Sequence, residues 1–160
     1  GKMAIGQISE ALFLLLIPVF FGRYGFKKTI LVGMLAWAIR YVMFAYGNGS
    51  DLSFMLIIGI ALHGICYDFF FVSGQIYTNS KAGEKYKSAA QGLITLATYG
   101  IGMLIGFAVA GWITDNYKTV DGGTNWQMVW IIPAGIAFAV FLIFALFFDQ
   151  KKEVKTTVTL

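Results

Sequence analysis

A chain of 160 residues that is 58% hydrophobic and 12% charged carries about half the charge of an ordinary soluble domain, for which ~25% is typical. With a mean hydropathy of +0.73, that balance excludes a water-soluble globular fold and places the chain in a bilayer. The formal charge of +4 then reads as Lys and Arg gathered on cytoplasmic loops, and no nucleic-acid partner is expected.

In chain order, apolar runs cover residues 3–21, 29–46, 52–77, 88–117 and 126–148, ahead of a polar tail over 149–160. Each is long enough for a membrane-spanning helix, which takes about 20 residues. The expected fold is therefore an all-α membrane protein with five transmembrane helices in one bundle. Pro18 kinks or ends the first span. The segment Gly22–Lys28 reads as a basic loop, Gly47–Asp51 as a tight turn, and Thr78–Lys87 as a second basic loop. The fourth span is rich in glycine, and Gly92, Gly100, Gly102, Gly106 and Gly111 point to close helix packing. Trp126 and Trp130 open the fifth span as an interfacial aromatic belt would.

Charge sets the orientation. Residues 22–28, 78–87 and the tail hold nine of the twelve Lys and Arg residues; Lys2 and Lys118 lie on the alternate side and Arg40 lies inside a span. By the positive-inside rule the tail is cytoplasmic, the lipid bilayer is the solvent, and the five spans put the N-terminus outside. The chain opens on Gly1 with no leader pattern, so an earlier span is expected to precede it.

Few residues can carry chemistry. Glu10 and Asp68 are carboxylates within apolar runs, where a charge costs at least ~2.5 kcal/mol. A chain keeps such a group when it faces water or a partner. A carboxyl that gains and loses a proton as its access alternates can couple protons to transport, so Asp68 and Glu10 are the proton-coupling candidates. The competing role for either is to neutralise Arg40, which is itself divided between snorkelling to the interface and a core salt bridge. Gln7 lies one turn before Glu10 and offers an amide to a polar ring. His63 and Tyr67, four residues apart, share a helix face, with Asp68 turned about 100° from it. Gln7, Glu10, His63 and Tyr67 form the expected substrate-binding set. Phe69, Phe70 and Phe71 read as lipid-facing or core packing, Cys66 as a small packing residue, and Gln91 as structural or part of a gate. There is no metal-ligand spacing, phosphate-binding glycine loop or nucleophile motif; no metal, cofactor or enzymatic activity is expected.

The segments QISEALFLLLIPVFFGRYGFKK, AWAIRYVMFAYG, HGICYDFFFVSG, SAAQGL and NWQMVW, in this order, resemble the nucleoside:proton symporter family of the major facilitator superfamily. The resemblance runs from Gly6 to Phe148 and includes polar positions. It implies a twelve-helix transporter of two six-helix halves, of which this chain is the eighth to twelfth helices, most of the C-terminal half. The N-terminal half would be a missing partner. It further implies proton-coupled nucleoside uptake across a bacterial inner membrane. Gln7 and Glu10 would contact the nucleoside, Tyr67 would line the cavity, and Asp68 would be the essential acid. His63 departs from the family pattern, which has Tyr there, and this bears on base preference. The basic segment GRYGFKK resembles the short loop between the second and third helices of each half. The competing readings are a symporter for a sugar or other polar solute, and a non-transporting membrane subunit.

Overall fold

The computed structural model describes residues 2–148; the polar tail over 149–160 lies outside them. The described residues form α1 (Lys2–Tyr46), α2 (Ser53–Ala61), α3 (His63–Tyr67), a π-helical turn π1 (Asp68–Val72), α4 (Ser73–Thr95), a second π-helical turn π2 (Leu96–Gly102), α5 (Met103–Asn116) and α6 (Trp126–Phe147). Among them no strand forms, and the β pairing consists of an isolated bridge between Lys118 and Thr124.

Three helical stretches are long and apolar enough to cross a membrane: Ala4–Tyr46, Ser53–Asn116 and Trp126–Phe147, of 43, 64 and 22 residues. A straight helix of 43 residues would reach about 65 Å, twice the ~30 Å hydrocarbon layer. Both longer stretches are broken by a glycine at positive φ, Gly25 (φ 76°) and Gly83 (φ 64°). A side chain is strained in that region of backbone space, so glycine marks the break. Helix resumes on either side of each glycine. The basic segments 22–28 and 78–87, expected as loops, are thus helical apart from a single residue each.

The side-chain register shows that the chain doubles back at both glycines. Along the limb 2–24, Gly6 faces Ile60, Ser9 bonds Ala61, and Phe20 packs on Phe69 with ring centroids 4.7 Å apart. The contacts advance together, so this limb runs parallel to the stretch from α2 to π1. Along 26–46 the order reverses: Phe44 lies against Gly59, Arg40 against His63, and Trp37 against Phe70. In the same way Gln75 accepts from Gln91 and Gly74 faces Ile94, while Tyr67 meets Tyr99. The stretch from α2 to π1 is therefore held between both limbs of α1.

Two glycines make this possible. A Cβ on Gly64 would sit 2.5 Å from the Ser9 carbonyl carbon, and one on Gly33 would sit 2.9 Å from the backbone of Phe69 and Phe70. Such close approach is the usual device where hydrocarbon supplies no hydrophobic drive between helices. In the fourth span, a Cβ on Gly92, Gly106 or Gly111 would meet nothing within 4 Å among the described residues. Gly102 and Gly106 instead line a groove shared with α1 and α6.

The helix α6 starts at Asn125, whose side chain accepts from the Met128 amide at 3.2 Å, the ordinary N-terminal cap. It packs on the second limb of α1 through Trp130, which stacks on Tyr41 and meets Phe44 edge-on. Trp126 stays exposed.

Candidate functional site

Three polar residues of the apolar runs, Glu10, Arg40 and His63, come together where α3 passes between the limbs of α1. The Ser9 hydroxyl donates to the Ala61 carbonyl. With Gly64 admitting the backbone of Ser9 and Glu10, this brings Glu10 beside His63. Glu10 Oε2 lies 4.0 Å from His63 Nε2, and the two side chains are about one-third exposed, 37% and 36%. From the other limb, Arg40 Nη1 reaches His63 Nδ1 at 2.8 Å, and its guanidinium carbon lies 5.2 Å from the Phe44 ring centre. The imidazole is thus held between a carboxylate and a guanidinium supplied by the two limbs of one helix.

Arg40 does not form the core salt bridge that is one of its two expected roles. Among the described residues, no ion pair joins it to Glu10 or Asp68; its hydrogen-bond partner is His63, and its Nε is buried without one.

His63 and Tyr67 lie on one face, with ring centroids 5.8 Å apart. The Tyr67 hydroxyl meets that of Tyr99 at 2.6 Å, and Phe71 stacks on the Tyr99 ring. Tyr99 was not singled out in the sequence, because one more tyrosine in an aromatic-rich span carries no signal of its own. It stands in π2, opposite π1, so the two irregular turns are joined through their side chains.

Asp68 is 1% exposed. Its backbone carbonyl accepts from Ser73 Oγ at 3.1 Å, and its carboxyl Oδ2 has no hydrogen-bond partner. The next residue, Phe69, is equally buried, edge-on to Phe13 and tilted against Phe20. Gln7 lies one turn before Glu10 and is exposed. Gln91 donates to the Gln75 carbonyl at 2.8 Å and ties the limbs of α4 together. Cys66 is buried. The described residues hold no cluster of three or more metal-ligating side chains.

A separate cavity of about 650 Å³ opens between the second limb of α1, α5 and α6, lined among others by Trp37, Tyr41, Phe70, Trp130 and Pro133. Its walls are almost wholly apolar, and none of Gln7, Glu10, His63, Tyr67 or Asp68 lines it. The polar cluster offers donors, acceptors and ring faces together, as recognition of a polar heterocycle requires.

A sequence model of the family described as nucleoside H+ symporter matches residues 1–153. The chain is 35% identical over 150 residues to the nucleoside permease NupG of Escherichia coli (strain K12), covering 93% of this chain and 36% of that protein. It is 35% identical over 150 residues to the xanthosine permease of the same organism, covering 93% of this chain and 35% of the permease. The crystal structure of the nucleoside transporter NupG superposes with a TM-score of 0.85 at 35% identity, over 94% of this chain and 37% of that one. The chain spans a little over a third of the length of these relatives.

Proposed function

The chain belongs to the nucleoside H+ symporter family, and from that premise we propose that it forms most of the C-terminal half of a proton-coupled nucleoside transporter. In this reading the limbs on either side of Gly25 and Gly83, together with α6, make five crossings of a bacterial inner membrane. The basic residues around both glycines, Arg23, Lys27, Lys28, Lys81, Lys85 and Lys87, then mark the cytoplasmic side, with the N-terminus of the chain outside. A second half faces the polar cluster, and the two rock about the bound solute.

The observation that carries the reading is Asp68, fully buried with an unpartnered carboxyl oxygen. A bare charged oxygen in hydrocarbon is costly to keep, and taking up a proton removes that cost. Asp68 is accordingly assigned to proton coupling, with Glu10 as the second acid. Gln7, Glu10, His63 and Tyr67 bind the nucleoside: the amide and carboxylate take the polar edges, and the Tyr67 ring takes a face. No step calls for a cofactor or a metal.

The test is uptake of labelled uridine by the complete transporter in proteoliposomes, beside its Asp68→Asn variant. Saturable uptake that requires a pH gradient in the wild type and collapses in the variant supports both cargo and coupling residue. Gradient-driven uptake that survives in the variant moves the coupling role to Glu10. Well-folded wild-type protein that ignores uridine and takes up a sugar overturns the cargo.

A further inference from the structure

We propose that Arg40 is a positioning residue that fixes the tautomer of His63, so that its Nε2–H faces Glu10 as a free hydrogen-bond donor for the ligand. The inference rests on the nucleoside reading for the ligand's identity, and on geometry alone for the tautomer. A guanidinium carries donors only and stays protonated in proteins. Its 2.8 Å contact with His63 Nδ1 therefore requires Nδ1 to be the acceptor. In a neutral imidazole the proton then sits on Nε2.

Nε2 points to Glu10, but across 4.0 Å, beyond hydrogen-bond length. The carboxylate attracts the N–H without using it. Both side chains are about one-third exposed, so a ribose hydroxyl of a nucleoside can bridge them, accepting from Nε2–H and donating to the Glu10 carboxylate. The charged and titratable groups facing the ring are Arg40 and Glu10 from the limbs of α1 and Tyr67 from its own helix. Tyr67 is already engaged with Tyr99, and Arg40 Nε is buried, which leaves His63 Nε2–H as a part-exposed donor facing Glu10. A phenol at this position would turn its hydroxyl freely as donor or acceptor. His63 held by Arg40 presents a donor in one direction only. Arg40 touches no ligand in this arrangement; it acts through the ring.

The experiment is nitrogen NMR of the complete transporter, labelled at its histidine rings in lipid bilayers, with the His63 signals identified by their loss in His63→Phe. One tautomer is expected, unprotonated at Nδ1 and protonated at Nε2, and Arg40→Leu is expected to mix the tautomers or protonate the ring. A protonated Nδ1 in the wild type overturns the proposal, as does an unchanged spectrum in Arg40→Leu. In uptake, Arg40→Leu is expected to raise the KM for uridine about tenfold with Vmax within about twofold, the scale of one misdirected hydrogen bond. A fall in Vmax with KM unchanged overturns the ligand-facing role. A wild-type spectrum as expected, in a protein that takes up no uridine, leaves the tautomer standing and removes the nucleoside reading.

Discussion

The two sides of the bundle are built on opposite principles. Where α1 meets α3 and π1, backbones touch: Gly64 and Gly33 leave no room for a Cβ, and Ser9, Asp68 and Phe69 are buried. On α5, large side chains such as Leu104 and Phe107 stand more than 70% exposed, and Ile113 is the buried hydrophobic residue of that helix. Every polar residue of the candidate site except Tyr99 belongs to the first region. Precision is needed where a carboxylate, an imidazole and a guanidinium must meet within a few ångströms, and the tight contacts lie there.

That contrast can be broken or sharpened by substitutions in the complete transporter. The largest effect is expected from Phe69→Ala, which empties the space between Phe13, Phe20 and the backbone at Gly33. A buried Phe→Ala change costs ~3–5 kcal/mol, and thermal unfolding in detergent should show the lowest midpoint of the series. Next comes Gly64→Val. Its Cβ alone overlaps the backbone of Ser9 and Glu10, and overpacking of this kind costs ~1–3 kcal/mol or more. Because the displaced backbone carries Glu10, uridine affinity should fall with stability; a stable Gly64→Val protein of full affinity would refute the close-packed account.

Ser9→Ala removes the donor to the Ala61 carbonyl and is expected to cost ~0.6 kcal/mol, the average for hydrogen bonds between membrane helices. Tyr99→Phe keeps the stack on Phe71 and loses the bond to Tyr67, for a similar ~0.5–1.5 kcal/mol. Gly111→Ala on α5 should fall within ~0.5 kcal/mol of the wild type, because among the described residues nothing stands within 4 Å of the new methyl group. A loss at Gly111 as large as that at Gly64 would erase the distinction between the two regions.

The same contrast explains what could be read from the sequence. Glu10, His63, Tyr67 and Asp68 stand out in the sequence as candidates because polar groups in apolar runs are costly. The partner of Arg40 was not, since it depends on the register between two limbs that reverse at Gly25. Gly33 and Gly64 were passed over because a single glycine in an oily helix looks the same whether it touches a backbone or lipid. The glycine-rich fourth span drew attention instead, yet among the described residues nothing stands within 4 Å of a Cβ at Gly92, Gly106 or Gly111. The basic segments at 22–28 and 78–87 marked where the chain turns, but their composition did not reveal that one residue in each performs the turn.

The π-helical turn at Asp68–Val72 has a consequence for how the molecule tolerates length changes. Successive residues of an α-helix are about 100° apart around the axis, and a π turn absorbs an additional residue. The helix below it is therefore out of phase with the face bearing His63 and Tyr67, as a clock set forward stays ahead. Three successive phenylalanines, Phe69, Phe70 and Phe71, occupy this turn. Losing one of them would scarcely alter the oiliness of the span, yet it would swing Gln75 and Tyr77 to a different azimuth. In this stretch the number of residues carries information that their hydrophobicity does not.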